Sequence, residues 1–299
     1  MAARAAGKGM PIRVHPLFLF LVALAVAAGL VWEVIVVFCV VVIHELAHIA
    51  VARAFGYRIR ELTLLPFGGV AIIEGEPGAW SPGREVWIAA AGPLANGILT
   101  GVALVLYSAQ IWSEGFAAFF VRVNLTMMLF NLLPALPLDG GRIWRAVSSR
   151  TFGYGRAGEL AVNSAFWCSG ALATLGAGTA IWGAPHVGMW ALAGFLAISA
   201  RQIRREIPYE AARWLYGLKK APKSEPRAVR PLAVHRHMRA GEIARYFAPE
   251  AFHLIAVLDD EGKIIFIIEE QEFLEFLFAP GGFGKAIGEW PGEPPNLSS

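Results

Sequence analysis

Long stretches without charge constrain this chain more than any other feature. From Leu160 to Ala200 there is no Asp, Glu, Lys or Arg, and His186 is the one residue able to carry charge near neutral pH. Pro16 to Trp32 is uncharged, and so is Val34 to Ile43; the apolar run continues through His44 to Ala52, with Glu45 its one acidic residue. Glu85 and Glu114 bracket a third run, and Phe116 to Leu138 carries only Arg122. A bilayer core of about 30 Å takes roughly 20 apolar residues per helix. Gly183-Ala184-Pro185-His186 divides the last stretch, so the runs make six spans, rich in the Gly and Ala that let membrane helices approach closely.

After about residue 200 the composition becomes that of an ordinary soluble segment. With 56% hydrophobic and 16% charged residues overall, a soluble single domain is excluded. The expected fold is a polytopic α-helical membrane protein with six transmembrane helices and a small membrane-associated β-hairpin, followed by a C-terminal α+β domain. The expected divisions are a membrane domain over 1–205, an interfacial helix and linker over 206–228, a small domain over 229–289 and a disordered tail over 290–299.

Basic residues orient the spans. With a cytoplasmic N-terminus, the segments around Arg13, Arg58, Arg84 and Arg150 and the whole C-terminal part lie inside, and of 26 Lys and Arg only Arg122 falls elsewhere. This is the positive-inside pattern, with both termini cytoplasmic. It also accounts for the basic pI through anionic lipid rather than nucleic acid, which is not an expected partner. Residues 1–15 run into the first span without a small-residue cleavage site and read as part of a retained helix. Cys39 and Cys168 lie in predicted spans and form no disulfide framework.

The chemistry sits where the second span ends. His44-Glu45-Leu46-Ala47-His48 puts two imidazoles at i and i+4, on one helical face, where they can share a zinc ion while Glu45 holds the attacking water. Ionisable groups at membrane depth are functional candidates by default, because burying them is costly. A catalytic zinc takes a third protein ligand, and Asp139 is the best candidate: it ends the fourth span at the same membrane face, flanked by Pro137 and Gly140-Gly141. The competing reading is that Asp139 caps a helix or pairs with Arg142. Asn131, eight residues earlier, is the candidate oxyanion donor or else an interhelical hydrogen-bonding amide. His15, His186, His235, His237 and His253 lack ligand spacing and read as interfacial or surface groups.

Elsewhere, Ile59 to Glu74 is short, β-branched and Gly-interrupted, which suits strands or a re-entrant hairpin. Residues 75–83 read as a loop, and Ala91 to Asn96 as a kink packed on a neighbour. After an interfacial helix over Arg201–Tyr216 and a linker over Lys219–Arg230, a helix over Ala240–Phe247, a strand over His253–Leu258, a turn, a strand over Lys263–Ile268 and a helix over Glu270–Phe278 are expected.

Four segments, HELAH (44–48), LPFGGVAIIE (65–74), AGPLAN (91–96) and NLLPALPLDGG (131–141), together resemble the site-2 protease family of intramembrane metalloproteases. The resemblance spans residues 40–145, and Leu132 stands where many members have proline. It implies zinc ligands His44, His48 and Asp139, Glu45 as general base, and Asn131 near the substrate or oxyanion. No segment is long enough for a PDZ domain, and residues 228–289 are similar to one CBS motif, the layout of the sporulation branch of the family. That branch implies a membrane-associated pro-sigma-K-like substrate, inhibition by membrane partner proteins, an adenine nucleotide at the CBS-like domain, and self-association to complete a nucleotide cleft. The alternatives are a site-2 protease for another membrane-tethered regulator and a non-enzymatic CBS nucleotide sensor.

Overall fold

The computed structural model describes residues 12–14, 16–65, 68–74, 80–181, 186–220 and 227–291. The chain forms two compact units, one of residues 1–75, 86–133 and 138–140, the other of 76–85, 134–137 and 141–299.

The first unit begins with β1 (Ile12–Val14), α1 (Pro16–Ala27) and α2 (Val31–Ala54). The first span is expected to reach Trp32, but α1 stops five residues earlier. Gly29 adopts φ 81°, the Leu30 N–H bonds the Ala25 carbonyl and the Gly29 N–H bonds that of Val26. This is the left-handed Schellman ending that glycine favours. Glu33 consequently falls in the first turn of α2, where a carboxylate suits the helix dipole.

The hairpin expected over Ile59–Glu74 is present as β2 (Arg58–Leu65) paired antiparallel with β3 (Gly68–Glu74). β1 adds in parallel to β2, giving the order β1-β2-β3 with β3 at an edge. Helices α3 (Pro82–Ser108) and α4 (Glu114–Asn131) complete this unit, apart from the first residues of α3. Pro134 and Pro137 fall between α4 and α5 (Asp139–Phe152), in the unwound stretch that their missing N–H groups and fixed φ favour.

The second unit contains the rest of α5, α6 (Tyr154–Ile181) and α7 (Val187–Lys220). The expected turn at residues 183–186 lies outside the described residues except for His186, and the linker over 221–226 and the tail over 292–299 also lie outside them. No separate interfacial helix forms over Arg201–Tyr216. α7 instead runs without a break from its apolar start through Arg201 and Pro208, burying Ile207, Trp214 and Leu215 along one face. Trp214 and Leu215 join a core with Phe247, Ile255, Ile268 and Phe273, which supplies the apolar burial that holds the charged half of α7 helical.

The C-terminal part is a three-stranded sheet in the order β4-β5-β6, with β4 (Ala228–His235) parallel to β5 (Ala251–Leu258) and β5 antiparallel to β6 (Ile264–Glu269). Helices α8 (Ala240–Ile243) and α9 (Glu270–Phe278) accompany it, the latter started by a Glu269–Glu272 capping box. The strands and helix expected from His253 onward occur within two residues of the expected bounds. The expected linker runs to Arg230 and no strand is expected directly after it; residues Ala228–His235 form a strand because their backbone pairs along its whole length with β5.

Among the described residues, three helices are long and apolar enough to cross a bilayer: Val31–Ala54, Pro82–Ser108 and Tyr154–Ala180. α1 has 12 residues, α4 has 18 and includes Glu114 and Arg122, and α7 turns charged at Arg201. Apolar side chains such as Ile98 and Val105 on α3 and Trp167 on α6 are exposed, as suits contact with lipid.

Candidate metal centre

α2 places His44 and His48 one turn apart, both buried, with Glu45 buried beside them. Their rings meet edge to face at 84°, and the two Nε2 atoms lie 3.2 Å apart. Asp139, the first residue of α5, brings Oδ2 to 3.2 Å from each of those nitrogens. The three atoms form a triangle with equal 3.2 Å sides. Donors around a tetrahedral ion with bonds of about 2.0 Å stand about 3.3 Å apart, so the spacing fits zinc.

The opposite ring nitrogens support that fit. His48 Nδ1 donates to the Ile88 carbonyl at 2.7 Å, and a carbonyl can only accept. The neutral ring then has its proton on Nδ1 and a lone pair on Nε2. His44 Nδ1 faces Asn96 Oδ1 at 2.5 Å, which implies the same tautomer. Two imidazole lone pairs and a carboxylate oxygen pointed at one another in a buried place repel, and a cation among them turns that repulsion into binding.

α3 fits closely over the pair because of Gly92. A Cβ on that residue would overlap His48 Nε2 and His44 Nε2, so the glycine of the AGPLAN segment admits the helix to the two rings. The sequence reading treats this segment as a packed kink and assigns no role to Asn96. Its signal was an amide in an otherwise apolar span, a residue type that membrane helices use as glue.

Asn131 is placed differently. It is the last residue of α4, and its Nδ2 donates to the Met127 carbonyl at 3.1 Å, one turn back along its own helix. Arg142 Nε pairs with Glu85 at 2.9 Å.

The remaining histidines divide into three. His15 lies outside the described residues, and His186 is exposed. His235 and His237, expected to lack ligand spacing, are brought together with Asp260, whose Oδ1 stands 3.2 and 3.4 Å from their Nε2 atoms. All three are exposed, and Arg236 already pairs with Asp260 Oδ2 at 3.1 Å. His253 is not a surface group. It is fully buried, with Nε2 accepting the Ala248 N–H and Nδ1 2.8 Å from Glu270 Oε2.

The model of peptidase family M50 matches residues 32–118 and 107–173, which include His44, His48 and Asp139. The chain is 36% identical to zinc metalloprotease MJ0392 of Methanocaldococcus jannaschii over 166 residues, 52% of this chain and 48% of that protein. The match therefore spans about half the length of that relative. The chain is 28% identical to stage IV sporulation protein FB of Bacillus subtilis over 270 residues, 90% of this chain and 92% of the relative. The solved structure of a site-2 protease from Methanocaldococcus jannaschii aligns with a TM-score of 0.52 and 30% identity, covering 66% of this chain and 92% of that one.

Proposed function

The chain belongs to peptidase family M50, and from that premise we propose that it is a zinc-dependent intramembrane endopeptidase with His44, His48 and Asp139 as metal ligands and Glu45 as general base. The observation that carries the reading is the convergence of His44 Nε2, His48 Nε2 and Asp139 Oδ2 on one point inside an apolar fold. Bound zinc would supply a Lewis acid that polarises the scissile carbonyl and acidifies water.

The chain's own groups do the rest. Glu45, buried next to the first histidine of the pair, takes a proton from the attacking water on its carboxylate and returns it to the leaving amine. Asn131 Nδ2 has two N–H groups. One is donated to Met127, and the other remains for the oxyanion of the substrate carbonyl. The strand β3, which has no further strand beside it among the described residues, offers that edge to an extended substrate segment, which a helical substrate must become before its amide can be attacked.

The substrate we propose is a membrane-associated pro-sigma factor of the pro-sigma-K type, cleaved during sporulation and held in check by membrane inhibitor proteins. Support for this branch comes from the alignment with the sporulation protein along nine-tenths of the chain, including the C-terminal region. On this reading the protein is a six-span membrane domain over 1–205 with both termini cytoplasmic, on the mother-cell side of the membrane around the forespore. A CBS-like domain over 229–289 binds an adenine nucleotide and pairs with a second copy.

The test is metal analysis together with co-expression of a pro-sigma-K-like substrate with wild type and Glu45→Gln. About one zinc per chain in both and cleavage by wild type alone would support the reading. Zinc in both with no cleavage by either would reject that substrate, and cleavage by Glu45→Gln would reject the base.

A further inference from the structure

Beyond the metal ligands, a backbone carbonyl and a buried amide on α4 and a second buried amide on α3 form a hydrogen-bonded line ending at His44. Asn124 Nδ2 on α4 donates to the Phe120 carbonyl at 2.9 Å. Asn96 Nδ2 on α3 donates to Asn124 Oδ1 at 2.9 Å, and Asn96 Oδ1 stands 2.5 Å from His44 Nδ1 on α2. Asn96 and Asn124 are both fully buried.

The direction of the line follows from its far end. The Phe120 carbonyl can only accept, so the Asn124 amide must turn its NH2 toward it. Asn124 Oδ1 then faces Asn96 and has to receive an N–H, which fixes the Asn96 amide with its oxygen toward His44. That oxygen in turn requires a proton on His44 Nδ1 and leaves the lone pair on Nε2. We infer that Asn124 and Asn96 are positioning residues that lock His44 in its metal-ligating tautomer, with the orientation set by a backbone carbonyl on α4. His48 needs no such relay, because the Ile88 carbonyl does the same directly.

The inference rests on the zinc reading above and adds a dependence the ligand set does not contain. Removing Asn124 leaves the Asn96 NH2 without an acceptor. The amide can recover one by turning over and donating to His44 Nδ1, which moves the imidazole proton to Nε2 and opposes zinc. Groups that orient metal-bound histidines typically contribute about 10- to 100-fold in metal affinity.

The experiment is chelator competition for zinc on the purified full-length protein, for wild type, Asn124→Leu, Asn124→Asp and Asn96→Leu, with thermal unfolding of each metal-free form. Asn124→Leu and Asn96→Leu are expected to bind zinc about 10- to 100-fold more weakly. Asn124→Asp, which in its protonated form donates to the Phe120 carbonyl and still accepts from Asn96 Nδ2, should recover most of the affinity even where its metal-free stability matches that of Asn124→Leu. Wild-type affinity in a folded Asn124→Leu, or equal loss in the Leu and Asp variants, would overturn the relay while leaving the metal site in place. Wild type without zinc would overturn both the relay and the function it rests on.

Discussion

Gly92 and His48 are in such close contact that a single methyl group on the glycine would overlap the imidazole Nε2. Gly92→Ala therefore has to push α3 away from α2 or turn the ring. Forcing a methylene into a packed site costs about 1–3 kcal/mol, and here the strain falls on a metal-facing nitrogen. The variant is expected to lose at least about 10-fold in zinc affinity by chelator competition. Gly97→Ala on the same helix, where a Cβ meets only the Met128 sulfur at 3.5 Å, should leave it unchanged.

Asp139→Asn keeps the size of the side chain and replaces the carboxylate whose Oδ2 stands 3.2 Å from both imidazoles. The purified variant should have well below one zinc per chain by metal analysis, because a neutral amide is a poor zinc ligand. Retention of a full complement would remove Asp139 from the ligand set.

Proline substitutions through Val70–Ile73 delete backbone N–H donors on the edge strand β3. Cleavage is expected to fall while zinc content stays at the wild-type level, measured on the same preparations. Normal cleavage by such variants would refute substrate binding by strand addition.

In the C-terminal core, Glu270 Oε2 accepts from the His253 backbone N–H at 3.0 Å and lies 2.8 Å from Nδ1, while Oε1 pairs with Arg227 at 3.5 Å. Because His253 Nε2 accepts from Ala248, the proton of its neutral ring sits on Nδ1 and is donated to Glu270. Glu270→Ala removes an acceptor from both groups and should destabilise the C-terminal core by about 3–5 kcal/mol. Limited proteolysis of the full-length protein would report it as faster cutting after residue 220.

The parts of this molecule that were legible in the sequence depend on local spacing. The i, i+4 histidines, the hairpin after α2, the unwound stretch before Asp139 and the elements from His253 onward all follow from periodicity and from Pro and Gly placement. What was hidden depends on partners distant in sequence. The charged half of α7 stays helical because Trp214 and Leu215 have a core to enter, and β4 is a strand because β5 lies beside it. His253 looks like a surface histidine until Glu270 and Ala248 are seen to bond both its nitrogens. The Asn96–Asn124 contact joins two residues 28 apart in the chain on different helices, and neither amide's spacing to His44 announces it. Asn131 stands out by its segment, whereas its hydrogen bond to the Met127 carbonyl does not show in the sequence.

Zinc K-edge absorption spectroscopy on the purified wild-type protein tests the central claim most directly. The account predicts about one zinc per chain, bound by two imidazole nitrogens and carboxylate or water oxygen at about 2.0–2.1 Å, with no sulfur ligand. A well-folded protein without zinc, or a zinc shell containing sulfur or only one imidazole, would contradict it.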